Sequence, residues 1–86
     1  MRFPSRVNVY RSEHGGRHLV TVHNHYGSGD HWGCVATGAT PQEAEDKASE
    51  WTWQNVERAA ARGSLLARLG ILERELSKLS DALSTR

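Results

Sequence analysis

Six leucines near the carboxyl end of the chain follow the repeat of a helix that packs along another helix. The spacings between them are 4, 3, 4, 3 and 4 residues, which is the a/d repeat of a coiled coil over almost three heptads. They are Leu65, Leu69, Leu72, Leu76, Leu79 and Leu83. The pattern predicts an amphipathic helix from Leu65 to Leu83 whose apolar stripe is covered by a second helix.

Two surfaces could cover this stripe, either a second copy of the chain or another part of the same chain. The chain has 86 residues and a single cysteine, Cys34, so no internal disulfide can reinforce so small a domain, and oligomerisation is a usual alternative. We therefore predict a homodimer, in which Arg68 at a g position and Glu73 at an e position attract each other if the helices are parallel. In the other interpretation, Leu66 and Ile71 broaden the apolar face, and the helix packs on its own sheet or first helix.

Three strands are predicted in the first half of the chain, and the first two alternate between apolar and polar residues, as half-buried strands do. They cover residues 6–11, 18–26 and 31–37, separated by the turn-forming segments 12–16 and 27–30. Short turns between consecutive strands predict an antiparallel meander. The predicted faces are Val7 and Val9 against Asn8 and Tyr10 in the first strand, and Val20, Val22 and Tyr26 against Leu19, Thr21, His23 and His25 in the second.

A helix start follows the third strand. Thr40 can cap the helix, Pro41 occupies its first position, and Glu43 completes a capping box. The helix is expected to continue to about residue 62. Its sheet-facing stripe is predicted at Ala44, Ala48, Trp51, Asn55 or Val56, and Ala59.

Gly63 and Ser64 then interrupt the helical pattern, since glycine ends helices and serine caps the next one. Together these elements predict an α+β fold, with one helix packed on a three-stranded antiparallel sheet and a leucine-heptad helix after it. We divide the chain into a strand-strand-strand-helix domain, 1–63, and a C-terminal dimerisation helix, 64–86.

Two tryptophans of the first helix are predicted to have different roles. Trp51 and Trp53 lie about 200° apart around a helix, so they cannot face the same core. Trp51 fits the sheet-facing stripe and is expected to be its large core residue. Trp53 is then expected to cover the second helix, a partner subunit or a target.

The residues capable of metal binding or nucleophilic chemistry do not form a recognisable motif. His23, His25, His31 and Cys34 could in principle hold zinc, which prefers four ligands in fixed geometry, but no CxxC or HxxxH pair occurs among them. Cys34 has no identifiable base with an orienting group, which a nucleophile requires. We predict no metal, no cofactor and no catalytic residue, and therefore a protein that is not an enzyme.

Charge is nearly balanced overall but unevenly distributed. The net charge is +1, and residues 1–40 contain four arginines, two acidic residues and all five histidines. Aromatic and arginine side chains are frequent hot spots of protein interfaces, so we predict a protein or nucleoprotein target, with nucleic-acid binding by the arginine and histidine face as the alternative. The predicted target-binding residues are Trp53, Tyr10, Arg11, Arg17, His23 and His25.

No segment of the chain suits a membrane or a secretory leader. No run of about 18 apolar residues occurs, and the amino terminus, MRFPSRVNVY, lacks an apolar secretory core. We expect a cytoplasmic protein with no membrane contact.

The run GCVATGATPQEAEDKA, residues 33–48, resembles the third strand and helix start of HicB-type antitoxins, and the strand-strand-strand-helix order is similar over residues 6–60. Double-stranded-RNA-binding domains share that order, but their helix start is lysine-rich, whereas this helix has no lysine before Lys47. HicB antitoxins append a DNA-reading motif where this chain has the leucine helix. The resemblance therefore implies the fold, with an antitoxin or regulatory role as the alternative function.

In size and character the chain also looks like the inhibitors that phages encode against host defence, including anti-CRISPR proteins. The likeness rests on the small size of the chain, its single domain, the absence of a catalytic motif and the predicted dimerisation. This likeness implies a homodimer that blocks its target by steric contact, and it is the function that we predict.

Overall fold

The computed structural model describes residues 3–4, 6–25 and 31–84. Its elements are, in chain order, β1 (Asn8–His14), β2 (Arg17–His25), β3 (His31–Gly38), α1 (Pro41–Ala61) and α2 (Leu65–Ser84). The strands form one antiparallel sheet in the order β1-β2-β3. The predicted α+β fold is therefore confirmed. Tyr26 and the loop predicted at 27–30 lie outside the described residues.

The first hairpin is tighter than the sequence indicates. A turn is predicted over 12–16, but β1 continues to His14, and only Gly15 and Gly16 connect it to Arg17. Both glycines have positive φ, 59° and 78°, as in the two-residue type I′ turn whose twist suits a hairpin. The polar residues before the glycines remain in the sheet because each has a partner on β2.

One face of the sheet is covered by α1. Val20 and Val22 of β2 are 2% and 0% exposed, and they pack with Ala44 and Ala48 of α1. Because alanine side chains are short, the helix can lie close to the sheet. The predicted alternation of β1 and β2 is confirmed for the described side chains. The half-buried residues around this cluster are Phe3, Val7, Val9, Cys34 and Ala36.

The junction between β3 and α1 is sterically tight. A Cβ at Gly38 would lie 2.7 Å from the backbone nitrogen of Ala44 and 2.9 Å from the Cβ of Glu43. Lys47 also crosses this junction, where its Nζ donates to the Thr37 carbonyl at 3.2 Å. Glycine is therefore required at position 38 by close approach rather than by backbone angle.

The start of α1 is capped largely as the sequence predicts. The Thr40 hydroxyl oxygen accepts from the backbone N–H of Glu43 at 3.1 Å, and a Glu43 carboxylate oxygen accepts from the N–H of Ala39 at 3.1 Å. A capping box would direct that carboxylate to Thr40 itself, one residue later. The pKa of Glu43 is held below its ordinary value, chiefly by the hydrogen bond from the Ala39 N–H. The hydrogen bond and charge of Lys47 lower it further, and the charge of Arg17 contributes least.

A Schellman turn joins the two helices. The N–H of Gly63 donates to the Ala60 carbonyl and the N–H of Ser64 to the Ala59 carbonyl, each at 3.0 Å, and Gly63 has a φ of 101°. The Ser64 hydroxyl then accepts from the N–H of Ala67 at 3.2 Å. The predicted helix end and helix cap are both confirmed.

The second helix returns along α1 and contacts no strand of the described sheet. The second core therefore lies between the helices, where Trp53, Val56, Ala59 and Ala60 of α1 pack with Ala67 of α2. The Cα radius of gyration is 14.1 Å, whereas a compact domain of this length has about 12 Å. The chain forms a slab of 42 × 39 × 15 Å.

Candidate interaction surfaces

The leucine stripe of α2 faces away from the rest of the chain. Its six leucines are between 50% and 70% exposed. At about 100° per residue, the centre of the stripe lies about 160° around the helix from Ala67, and Ala67 is fully buried against α1. Leu66, 36% exposed, extends the apolar surface at one side. Large exposed apolar patches usually mark interaction sites.

The opposite side of α2 attaches the helix to α1. Gly70 is buried there, and Ile71 packs against the cluster that contains Trp53. The guanidinium carbon of Arg74 lies 4.7 Å from the centroid of the Trp53 ring, and one of its nitrogens lies 3.4 Å from a Glu57 carboxylate oxygen. Intrachain packing, the alternative that the sequence offers to dimerisation, therefore occurs, but it leaves the leucines exposed.

The predicted role of Trp51 as the large core residue is wrong, whereas Trp53 packs under the second helix, which is one of the three roles predicted for it. Trp53 is 8% exposed in the core, whereas Trp51 is only half-buried. The buried residues of α1 between Ala44 and Ala60 span about 180° of its circumference, because the sheet covers one side and α2 the adjacent side. Trp51 lies about 20° outside one edge of this arc, and Trp53 lies at the other edge, under α2. Trp53 therefore leaves the set of target-binding residues.

The face of the sheet away from α1 is covered by no described element. Tyr10, Thr21 and Val35 form one row across the three strands, and Tyr10 and Val35 are 61% and 60% exposed. Leu19 lies in the next row, half-buried, and His23 is exposed on the other side of the first row. These five residues are called the open-face patch below.

Three members of the open-face patch, Thr21, Val35 and Leu19, are absent from the predicted target-binding set. The alternation of β3 contains the signal for Val35, because its neighbours Cys34 and Ala36 both pack against the helix-covered core. Adjacent strand residues point to opposite faces, so Val35 has to lie on the open face.

Arg11 does not share a surface with Tyr10, which corrects another prediction. It pairs across the strands with Val20, on the helix-covered face. Its Nε forms an ion pair with the carboxylate of Glu45 on α1. Strand alternation therefore places Tyr10 and Arg11 on opposite faces of the sheet. Through its ion pair with Glu45, Arg11 connects the sheet to α1.

The other predicted site residues are only partly brought together. Arg17 is exposed at the end of the first hairpin, at a position on the same face of the sheet as Leu19. The ring of His23 lies beside Gly33, 3.6 Å from the position that a Cβ there would take. The side chain of His25 lies outside the described part, and its backbone pairs with that of His31.

No group of three or more His, Cys, Asp and Glu side chains is placed to hold a metal ion in the described part of the chain. The four candidate zinc ligands also do not share a face. Cys34 pairs with the buried Val22, whereas His23 pairs with Gly33, so these two side chains point to opposite sides of the sheet. Burial raises the pKa of the Cys34 thiol, which keeps it protonated at neutral pH.

A small cleft lies where the first hairpin meets the start of α1. Its volume is about 200 Å³ including its open mouth, below the roughly 300–1,000 Å³ typical of small-molecule sites. Its lining residues are Arg11, Ser12, His18, Leu19, Val20, Pro41 and Glu45.

No protein-family model, curated protein or solved structure matches this chain. None of the described helices combines the length and the apolar character needed to cross a membrane. The resemblance to HicB-type antitoxins and the likeness to phage inhibitors stay predictions. Function is therefore inferred from the leucine stripe and the open-face patch.

Proposed function

We propose that this chain is a non-catalytic binding protein that forms a homodimer through the leucine stripe of α2 and contacts a protein target with the open-face patch. The observation that carries the proposal is the 50–70% exposure of six leucines on the side of α2 opposite α1. Such a stripe costs free energy in water, and burying it against another apolar surface recovers that energy.

A second copy of the chain fits the stripe well. It presents the same a/d repeat, so leucines from the two helices can interdigitate as knobs into holes. The flat shape of the protomer limits how much apolar surface it buries by itself, and a small domain commonly gains stability by association. Because α1 occupies the other side of α2, dimerisation requires no rearrangement of the protomer core.

The open-face patch suits a protein target better than a nucleic acid. Tyr10, Leu19 and Val35 supply aromatic and branched apolar surface, and interfaces take much of their energy from such residues near the centre. Nucleic-acid binding draws on clustered cations, yet Arg11 is paired with Glu45 on the other face. The proposed mode of action is steric, as in a phage-encoded anti-CRISPR-type inhibitor that acts in the cytoplasm by covering part of its target.

The test compares capture of a target from native host lysate by the wild-type chain and by a Tyr10→Ala Val35→Ser variant. The variant is expected to lose at least about 30-fold in affinity for the captured protein, the scale of a hot spot. Glu13→Ala is the control and should bind like wild type. Glu13 is an exposed residue of β1 whose position belongs to the opposite face of the sheet. Circular dichroism checks that all three chains are folded.

Two outcomes would contradict the proposal. Full-strength binding by the double variant places the target elsewhere on the molecule. A captured partner that is nucleic acid, with affinity falling steeply as salt rises through counterion release, replaces the protein target by the alternative function.

A further inference from the structure

The proposed dimer has two possible helix orientations, and the charges beside the leucine stripe distinguish them. We infer that two copies pair with their α2 helices parallel and in register. This inference rests on the proposed self-association and adds its geometry. The residues that flank the stripe are Arg68, Glu75 and Ala82 at g positions and Leu66, Glu73 and Ser80 at e positions.

In the parallel arrangement, each g residue faces the e residue of the following heptad on the other helix. Arg68 then faces Glu73 of the second copy, and the two-fold axis generates the same pair again. Glu75 faces an uncharged serine, Ser80. The Nε of Arg68 donates to the Ala60 carbonyl at 3.4 Å, which uses one of the five N–H donors of its guanidinium.

The antiparallel arrangement brings like charges together. The register that pairs all six leucines joins Leu65 with Leu83, Leu69 with Leu79, and Leu72 with Leu76. In antiparallel pairs e residues face e residues and g residues face g residues, so Glu73 meets its own copy and Glu75 meets its own copy around the axis. Moving the register by one heptad separates the carboxylates but leaves two leucines of each chain without a partner.

The contact between α2 and α1 is compatible with both orientations. The contact with α1 is made by Ala67, Gly70 and Ile71, on the side of α2 away from the leucine stripe. Charge complementarity favours the parallel orientation, and the like-charged antiparallel pairs act against the alternative dimer.

Disulfide trapping tests the orientation. In a Cys34→Ser background, which removes the single natural thiol, Leu79→Cys and Leu69→Cys are made separately. A parallel in-register pair places equivalent positions opposite each other, within the Cα separation of about 4.4–6.8 Å that a disulfide requires. Each variant is then expected to oxidise to a covalent dimer by itself. In the antiparallel register, position 79 lies ten residues from its own copy, about 15 Å along the axis.

The results distinguish a wrong helix orientation from a failure of self-association. If only a mixture of the Leu69→Cys and Leu79→Cys chains forms a covalent dimer, the helices are antiparallel and this inference is wrong, although self-association stands. If wild type sediments as a monomer at tens of micromolar, the proposed self-association itself fails. A wild type that sediments as a trimer overturns the two-stranded pair.

A charge exchange gives a second test that leaves the leucines intact. Arg68→Glu is expected to weaken the dimer by roughly tenfold, from the loss of two surface ion pairs and the gain of repulsion. Adding Glu73→Arg to that variant restores the affinity in a parallel dimer, because each pair is regenerated with reversed charge. Failure of the double change to restore affinity contradicts the parallel arrangement.

Discussion

Replacing Leu72 and Leu76 by lysine is expected to turn the proposed dimer into a folded monomer. The two leucines lie in the middle of the leucine stripe and are 57% and 65% exposed in the protomer. Neither belongs to the core clusters between α1 and the sheet or between the helices. Lysine also has nearly the helix propensity of leucine, so the protomer should tolerate both changes.

The size of the effect follows from these exposures. Full burial of a leucine side chain is worth about 1.5–3 kcal/mol, so a side chain with roughly 60% still exposed has about 1–2 kcal/mol to gain on association. A dimer contains four such side chains from the two positions, which gives about 4–7 kcal/mol. At 1.4 kcal/mol per tenfold, that loss weakens the dimer by about three to five orders of magnitude, before the cost of burying ammonium groups.

Sedimentation velocity measures the outcome over a range from low to tens of micromolar. Wild type should show a concentration-dependent dimer, and the double variant a monomer with an unchanged far-ultraviolet circular dichroism spectrum. Asp81→Lys is the control, because it changes the net charge of the chain by the same amount at an exposed position of α2 off the stripe. A double variant that still dimerises, or one that unfolds, would refute the reasoning about the exposed stripe.

Three further changes test the protomer itself. Trp53→Ala should destabilise the chain by about 3–5 kcal/mol, as for other buried large-to-small changes, and Trp51→Ala by clearly less; urea unfolding compares the two, and equal losses would contradict the assignment of the core tryptophan. Gly38→Ala should cost about 1–3 kcal/mol through overpacking against the backbone of Ala44, measured as a lower melting temperature, and an unchanged melting temperature would show that the junction can relax. The lowered pKa of Glu43 means that its ionised form is favoured in the folded state, so its stabilisation is complete above the ordinary glutamate pKa and is lost as pH falls through the lower folded value. Glu43→Gln should flatten that acid-side loss in unfolding experiments below about pH 4.5, and an identical pH profile would refute the capping role.

The sequence predicts the features that depend on near neighbours in the chain. The caps at the two ends of α1 form hydrogen bonds within a few residues, so the residue types and their order are enough to predict them. These caps are formed by Thr40 and Glu43 at the start and by Gly63 and Ser64 at the end. The alternation of β1 and β2 is equally local. The extent of β1 is not, because only pairing with β2 shows that the strand continues to His14.

The prediction for Trp51 fails because it depends on packing between distant segments. A helix that packs only on a sheet buries a single narrow stripe, and Trp51 fits that stripe. Because α2 also packs on α1, the buried side of α1 extends to Trp53. The pair Arg11 and Tyr10 fails for a different reason, because closeness in sequence outweighs strand alternation in that prediction. Val35 could have been placed from the alternation of β3, but its row with Tyr10 appears only once the strand register is known.

The thinness of the slab affects how the chain opens in solution. Trp53 is the largest side chain in the cluster between the helices, and its companions there are Val56 and three alanines. Backbone amides of α2 are therefore expected to exchange with deuterium through local openings that need less free energy than global unfolding. Pairing of the leucine stripes adds a second contact to the same helix, and mass action makes that contact depend on protein concentration. Protection of α2 amides should consequently rise as the protein is concentrated, while that of the central strand changes far less.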